Sequence, residues 1–98
     1  MRRAARTDAN QPEIVAALRA AGCSVQHLHT IGGGCPDILV GRAGKNYILE
    51  IKDGAKAPSG RQLTEDEKEW HRTWRGVVHT VCNIAEALDA VGLRGWHA

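Results

Sequence analysis

Pro36-Asp37-Ile38-Leu39-Val40-Gly41-Arg42-Ala43-Gly44-Lys45-Asn46-Tyr47-Ile48-Leu49-Glu50-Ile51-Lys52 carries the clearest strand signals in the sequence. Two apolar runs, Ile38-Leu39-Val40 and Tyr47-Ile48-Leu49-Glu50-Ile51, flank a glycine-containing segment. Short β-rich runs around such a segment predict an antiparallel hairpin. Residues i and i+2 of a strand share a face. Glu50 and Lys52 therefore project together near the end of the second strand. That end lies beside the start of the first strand, where Asp37 stands. Ile51 faces the other way and is free to join the core.

Working outward, Gly32-Gly33-Gly34 breaks regular structure before the hairpin, and the alternating Cys23–His29 run predicts a half-buried strand. Before it, Ile14, Ala17, Leu18 and Ala21 recur at helical spacing. Asn10 is placed to cap that helix, with Pro12 in its first turn, Glu13 completing a capping box and Gly22 ending it. On the other side, Asp53–Gly60 is a loop. A second helix starts at Thr64 with Glu67 as its capping-box partner, carries Leu63, Trp70 and Trp74 on its apolar side, and stops at Gly76. Val77–Val81 predicts a strand. Asn83 and Glu86 cap a last helix carrying Ile84, Leu88 and Val91. The predicted order is α-β-β-β-α-β-α, an α/β fold with a mixed sheet flanked by helices.

The chain has 98 residues, which suits one domain. Residues 10–98 form it, preceded by a flexible basic tail, 1–9, that contains Arg2, Arg3 and Arg6. No apolar run approaches the roughly 18 residues of a membrane span, and the N-terminus lacks the apolar stretch of a signal peptide, so a cytoplasmic location is expected. The formal charge of +2 neither demands nor forbids a nucleic-acid partner. Three cysteines with no close pair argue against a disulfide framework or structural zinc.

Asp37, Glu50 and Lys52 together suit phosphodiester hydrolysis. Two carboxylates supply hard oxygen ligands for Mg²⁺. A bound metal lowers the pKa of water and neutralises phosphate charge. A lysine alongside orients the water or stabilises developing charge, and the Ile51 carbonyl can add a ligand. Taken singly these residues are ordinary: an Asp after Pro is turn chemistry, and Glu-x-Lys a solvated strand edge.

The segments Gly33–Val40 and Ile48–Lys52 resemble the PD-(D/E)XK signature of restriction-type nucleases. They are closer still to the VRR-NUC (virus-type replication-repair nuclease) family, with its glycine-rich lead into Pro-Asp, its Glu-x-Lys strand and a glutamine before the next helix. The last part is matched by Ser59-Gly60-Arg61-Gln62-Leu63, and Glu13 matches a glutamate near the start of the first helix. The resemblance runs from about Glu13 to Val91. It implies a restriction-endonuclease-like sheet, Asp37 and Glu50 as ligands of Mg²⁺ (Mn²⁺ substituting), Lys52 as catalytic lysine, Gln62 as a water- or phosphate-positioning residue and Glu13 as a further ligand. It implies a homodimer cutting branched DNA such as four-way junctions, of phage or prophage type in a bacterial host. Lys45, Lys56 and Arg61 are expected to contact phosphate, and the backbone of Gly33 and Gly34 to approach the DNA. The alternatives are a non-catalytic DNA-binding module and a sequence-specific restriction-like nuclease. His27 and His29 share a strand face, but no Cys or His partner stands at a recognised metal-binding spacing. They read as surface or DNA-facing residues, and His71 and His79 as ordinary polar positions. Trp70 and Trp74 read as core or dimer interface rather than base-stacking platforms.

Overall fold

The computed structural model describes residues 7–95. The basic residues Arg2, Arg3 and Arg6 lie outside the described residues. The elements run α1 (Gln11–Ala20), β1 (Ser24–His27), β2 (Ile38–Arg42), β3 (Lys45–Ile51), α2 (Glu65–Thr73), β4 (His79–Val81) and α3 (Ile84–Ala90). This is the expected α/β order. The four strands form one mixed sheet, β1-β2-β3-β4. The first three pair antiparallel and β4 pairs parallel to β3. A parallel neighbour needs a long crossover, and the segment carrying α2 supplies it.

The hairpin is tighter than its sequence suggests. Arg42 pairs with Lys45, leaving a two-residue turn of Ala43 and Gly44 with φ of 51° and 77°. Two left-handed residues are what a type I′ turn requires, because its twist matches that of the strands. Gly44 adopts this freely, whereas Ala43 does so at a cost.

The α1 helix closes as its sequence predicts. Gly22 N–H donates to the Arg19 carbonyl and Cys23 N–H to that of Leu18, the paired bonds of a Schellman motif. Its start differs. Asn10 makes no side-chain cap. Its Nδ2 donates instead to the carbonyls of Lys52, at 3.1 Å, and Cys82, at 3.0 Å. Those carbonyls lie just past the ends of the parallel pair β3 and β4, and that of Cys82 also accepts from Gly54 N–H. The expected capping box with Glu13 is therefore replaced by a tie between α1 and two strands. The box at Thr64 and Glu67 forms as expected.

One face of the sheet carries the core. Ile38, Val40, Leu49, Ile51 and Val81 meet Ile14, Val15 and Leu18 of α1 and Ala87, Leu88 and Val91 around α3. Glu50, between Leu49 and Ile51, is turned to the opposite face, where α2 lies. No residue of α2 is buried, so Trp70 and Trp74 are not core. Their rings stack on each other, 4.6 Å apart at 16°.

Two boundaries move. β1 ends at His27, and His29–Ile31 form a 3₁₀ turn, so the two histidines do not share a strand face. β4 begins at His79, and Val77 is 70% exposed. A β-branched run alone does not make a strand where no partner backbone is in reach.

Candidate functional site

The geometry starts from Asp37. Its N–H donates to the Leu49 carbonyl and its carbonyl accepts from Leu28 N–H, so its backbone is pinned between β1 and β3. Its Oδ2 accepts from Ile51 N–H at 2.7 Å. That bond holds the carboxylate against the end of β3, beside the Ile51 peptide. Glu50 adjoins it and is only 1% exposed; Lys52 follows on the same face. The sequence-predicted trio is thus assembled by the hairpin register.

Two buried carboxyls side by side oppose each other's ionisation. Burial raises the Asp37 pKa above the usual carboxylate range. Burial, then the neighbouring Asp37, pushes Glu50 up to about 9. Glu50 is therefore protonated at neutral pH when no cation is bound. Its Oε1 lies 3.2 Å from Nε2 of His71. Burial lowers the His71 pKa, so this contact joins two neutral groups and is a hydrogen bond rather than an ion pair.

Lys52 Nζ donates to Glu67 Oε1 at 2.7 Å. Burial works against the ammonium, but Glu67 outweighs it and keeps the Lys52 pKa raised. Burial likewise works against the Glu67 carboxylate, and its bonds to Lys52 and to Thr64 N–H leave its pKa lowered. One oxygen of Glu67 thus caps α2 and holds the lysine. Close packing brings α2 here. A Cβ on Gly34, at φ +82°, would stand 2.2 Å from the Asp66 carbonyl oxygen. Only glycine lets the loop before β2 lie on the first turn of α2.

The remaining expected residues divide. Gln62 is exposed, just before α2, and Glu67 is the residue of that region that holds Lys52. Glu13 is exposed because the inward stripe of α1 is Gln11, Ile14, Val15 and Leu18. It borders a separate cleft with Asp53 and Asn83. The N-terminal acid that acts on Asp37 and Lys52 is Asp8, which also lies 3.7 Å from Lys56 Nζ. Arg61 is half-buried, and its Nε has no partner. Lys45 stands five positions from Glu50 along β3, about 17 Å away at some 3.4 Å per residue, so it does not join this site. Gly34 is committed to packing, whereas Gly33 is open.

Sequence reasoning missed Glu67, His71 and Asp8. Glu67 and His71 stand four apart on α2, hence on one helical face. That spacing was the available signal, and the capping role of Glu67 concealed it.

Among the described residues, no three His, Cys, Asp or Glu side chains converge as a ligand set. Mg²⁺ does not need such a cage; it binds through one or two carboxylates and keeps several waters. The Asp37–Glu50 pair fits that demand, since a divalent cation would offset the burial and the mutual repulsion that otherwise keep a proton on Glu50. No helix of the described residues is long and apolar enough to cross a membrane. No family model, curated protein or solved structure matches the chain.

Proposed function

We propose that this chain is a metal-dependent endonuclease of the PD-(D/E)XK type, with the VRR-NUC family as its nearest resemblance. The observation that carries the reading is the meeting of Asp37, Glu50 and Lys52 at one end of the hairpin, with both carboxyls buried and adjoining. Structural ion networks rarely bury two acids beside each other, because each disfavours the other's charge.

In this reading Asp37 and Glu50 hold Mg²⁺ or Mn²⁺, and the Ile51 carbonyl is available alongside. The cation would supply an activated water and charge neutralisation at phosphate. A bound cation would take the place of the proton on Glu50, and His71, 3.2 Å from Glu50 Oε1, would hold that carboxyl in position. Lys52 presents its ammonium to the scissile phosphate, held in line by Glu67. Lys56 and Arg61 contact flanking phosphates, which makes binding salt-dependent. Branched DNA is the substrate class and a homodimer the working unit, since one small domain offers little surface for a branched duplex and two sites cut two strands symmetrically.

The test is cleavage of labelled four-way junction, flap and linear duplex with Mg²⁺, Mn²⁺ or EDTA, with gel filtration alongside. The reading predicts metal-dependent product, greatest on branched DNA, from a dimer. Binding with no product in any metal would identify a non-catalytic module. Fixed cuts in linear duplex would identify a restriction-like enzyme.

A further inference from the structure

Away from the carboxylates, at the first residue of α1, Gln11 stands between His27 and His29. The residue is 2% exposed. Its Nε2 lies 3.5 Å from Nδ1 of His27 and 3.4 Å from Nδ1 of His29. Both contacts exceed the usual 2.9–3.0 Å of an N–H hydrogen bond. Among the described residues its Oε1 has no partner. A buried carboxamide with two long contacts and an orphan oxygen is poorly satisfied as it stands.

These spacings have a second meaning. Around a tetrahedral zinc with bonds of about 2.1 Å, neighbouring ligand atoms stand roughly 3.4 Å apart. The two imidazole centres of such a site stand roughly 5 Å apart. Here the ring centroids are 5.5 Å apart and the planes meet at 80°, and both Nδ1 atoms lie within 3.5 Å of the one Gln11 amide nitrogen. The two orientations of a carboxamide fill the same volume. Turning the Gln11 group over puts its orphan oxygen where Nε2 now stands, facing both ring nitrogens.

We propose that His27 Nδ1, His29 Nδ1 and Gln11 Oε1 form a site for a borderline divalent transition metal such as Zn²⁺. Imidazole suits Zn²⁺, Ni²⁺ and Cu²⁺, whereas Mg²⁺ prefers an all-oxygen shell, so this site and the carboxylate pair select different ions. The fourth ligand is water, admitted from a surface cleft of about 390 Å³ that Thr7, Pro12 and Val15 also line. Arg19, at the border of the same cleft, is committed to the Val25 carbonyl. The ion clamps the first turn of α1 to the end of β1. The 3₁₀ turn that displaces His29 from the strand is what brings its ring to the convergence point.

The experiment uses the full chain without a histidine tag, saturated with Mg²⁺. Zn²⁺ is titrated by calorimetry, and Co²⁺ is followed by its visible absorption as a report of low coordination number. One equivalent is expected to bind. His27→Ala and His29→Ala are each expected to weaken binding more than about 100-fold, beyond the effect of outer-shell partners. Gln11→Glu, which supplies a charged oxygen at the same place, is expected to tighten it. An Asp37→Asn, Glu50→Gln double variant is expected to bind Zn²⁺ as the parent does, which separates this site from the carboxylate pair. Absence of binding in the parent, or unchanged binding in both histidine variants, overturns the proposal.

Discussion

Lys52 donates from Nζ to Oε1 of Glu67 across 2.7 Å, so the lysine at the end of β3 is held by the first turn of α2. The same Glu67 oxygen accepts from Thr64 N–H at 2.8 Å. A lysine side chain is long and flexible, and this contact restricts it to one direction. Glu67→Ala removes the restraint and half of the capping box. It should slow DNA cleavage while leaving Mn²⁺ affinity nearly unchanged, and lower stability by about 1 kcal/mol. Single-turnover rates and Mn²⁺ titration check this. Gln62→Ala, at an exposed position outside the contact, should keep the parent rate.

The Glu50 pKa makes stability fall with rising pH. Its folded value, about 9, lies above its ordinary 4.5. Between the two the folded chain keeps a proton that the unfolded chain has lost, so stability decreases as pH rises through that window. Asp37, also raised, acts in the same sense. Glu67, with its lowered pKa, acts oppositely, and its contribution is lost only as pH falls below 4.5. His71, lowered by burial, makes stability rise with pH up to its ordinary 6.5 and contributes no slope above it, so melting temperatures of the metal-free protein should drop from neutral to alkaline pH. Glu50→Gln, which copies the protonated form, should flatten the drop. Mg²⁺ should raise the melting temperature more at high pH, because cation binding displaces the proton. A profile that rises from neutral to alkaline pH would contradict the assignment.

Asn10 ties Lys52 to Cys82 through one buried and one part-buried hydrogen bond. Asn10→Ala takes this donor from the Lys52 carbonyl and one of two donors from the Cys82 carbonyl, which keeps Gly54 N–H, and should cost about 2 kcal/mol. Because the Lys52 carbonyl is affected, cleavage should also slow. Chemical denaturation and rates measured on the folded fraction separate the two effects.

Ala43 sits at φ 51° in the hairpin turn, with an exposed side chain. Ala43→Gly or Ala43→Asn relieves a left-handed alanine and should stabilise the chain by about 1 kcal/mol with no change in activity. Equal or lower stability in both variants would mean the turn is not of this type.

The element order was legible because the apolar spacing changes cleanly from helical to alternating and back. The trio Asp37, Glu50 and Lys52 was legible because hairpin register and the two-residue strand period place it without further information. What escaped the reading depends on contacts distant in sequence. Asn10 looks like a cap until the ends of β3 and β4 present two carbonyls to its side-chain amide. Glu67 looks only like a cap until Gly34 lets α2 approach the sheet. His29 looks like a strand residue until the chain turns at Leu28. In each case a local pattern satisfied one role and the tertiary fold assigned another.

In the proposed function the buried acid pair Asp37 and Glu50 holds a divalent cation for DNA cleavage. Its most direct test is single-turnover cleavage of a labelled four-way junction, comparing the parent chain with Glu50→Gln at matched stability. The account predicts product that requires Mg²⁺ or Mn²⁺ in the parent and a loss of more than about 1,000-fold in the variant, the scale of removing a group that acts on transition-state charge. Equal rates in the two proteins, or product that survives EDTA, would contradict it.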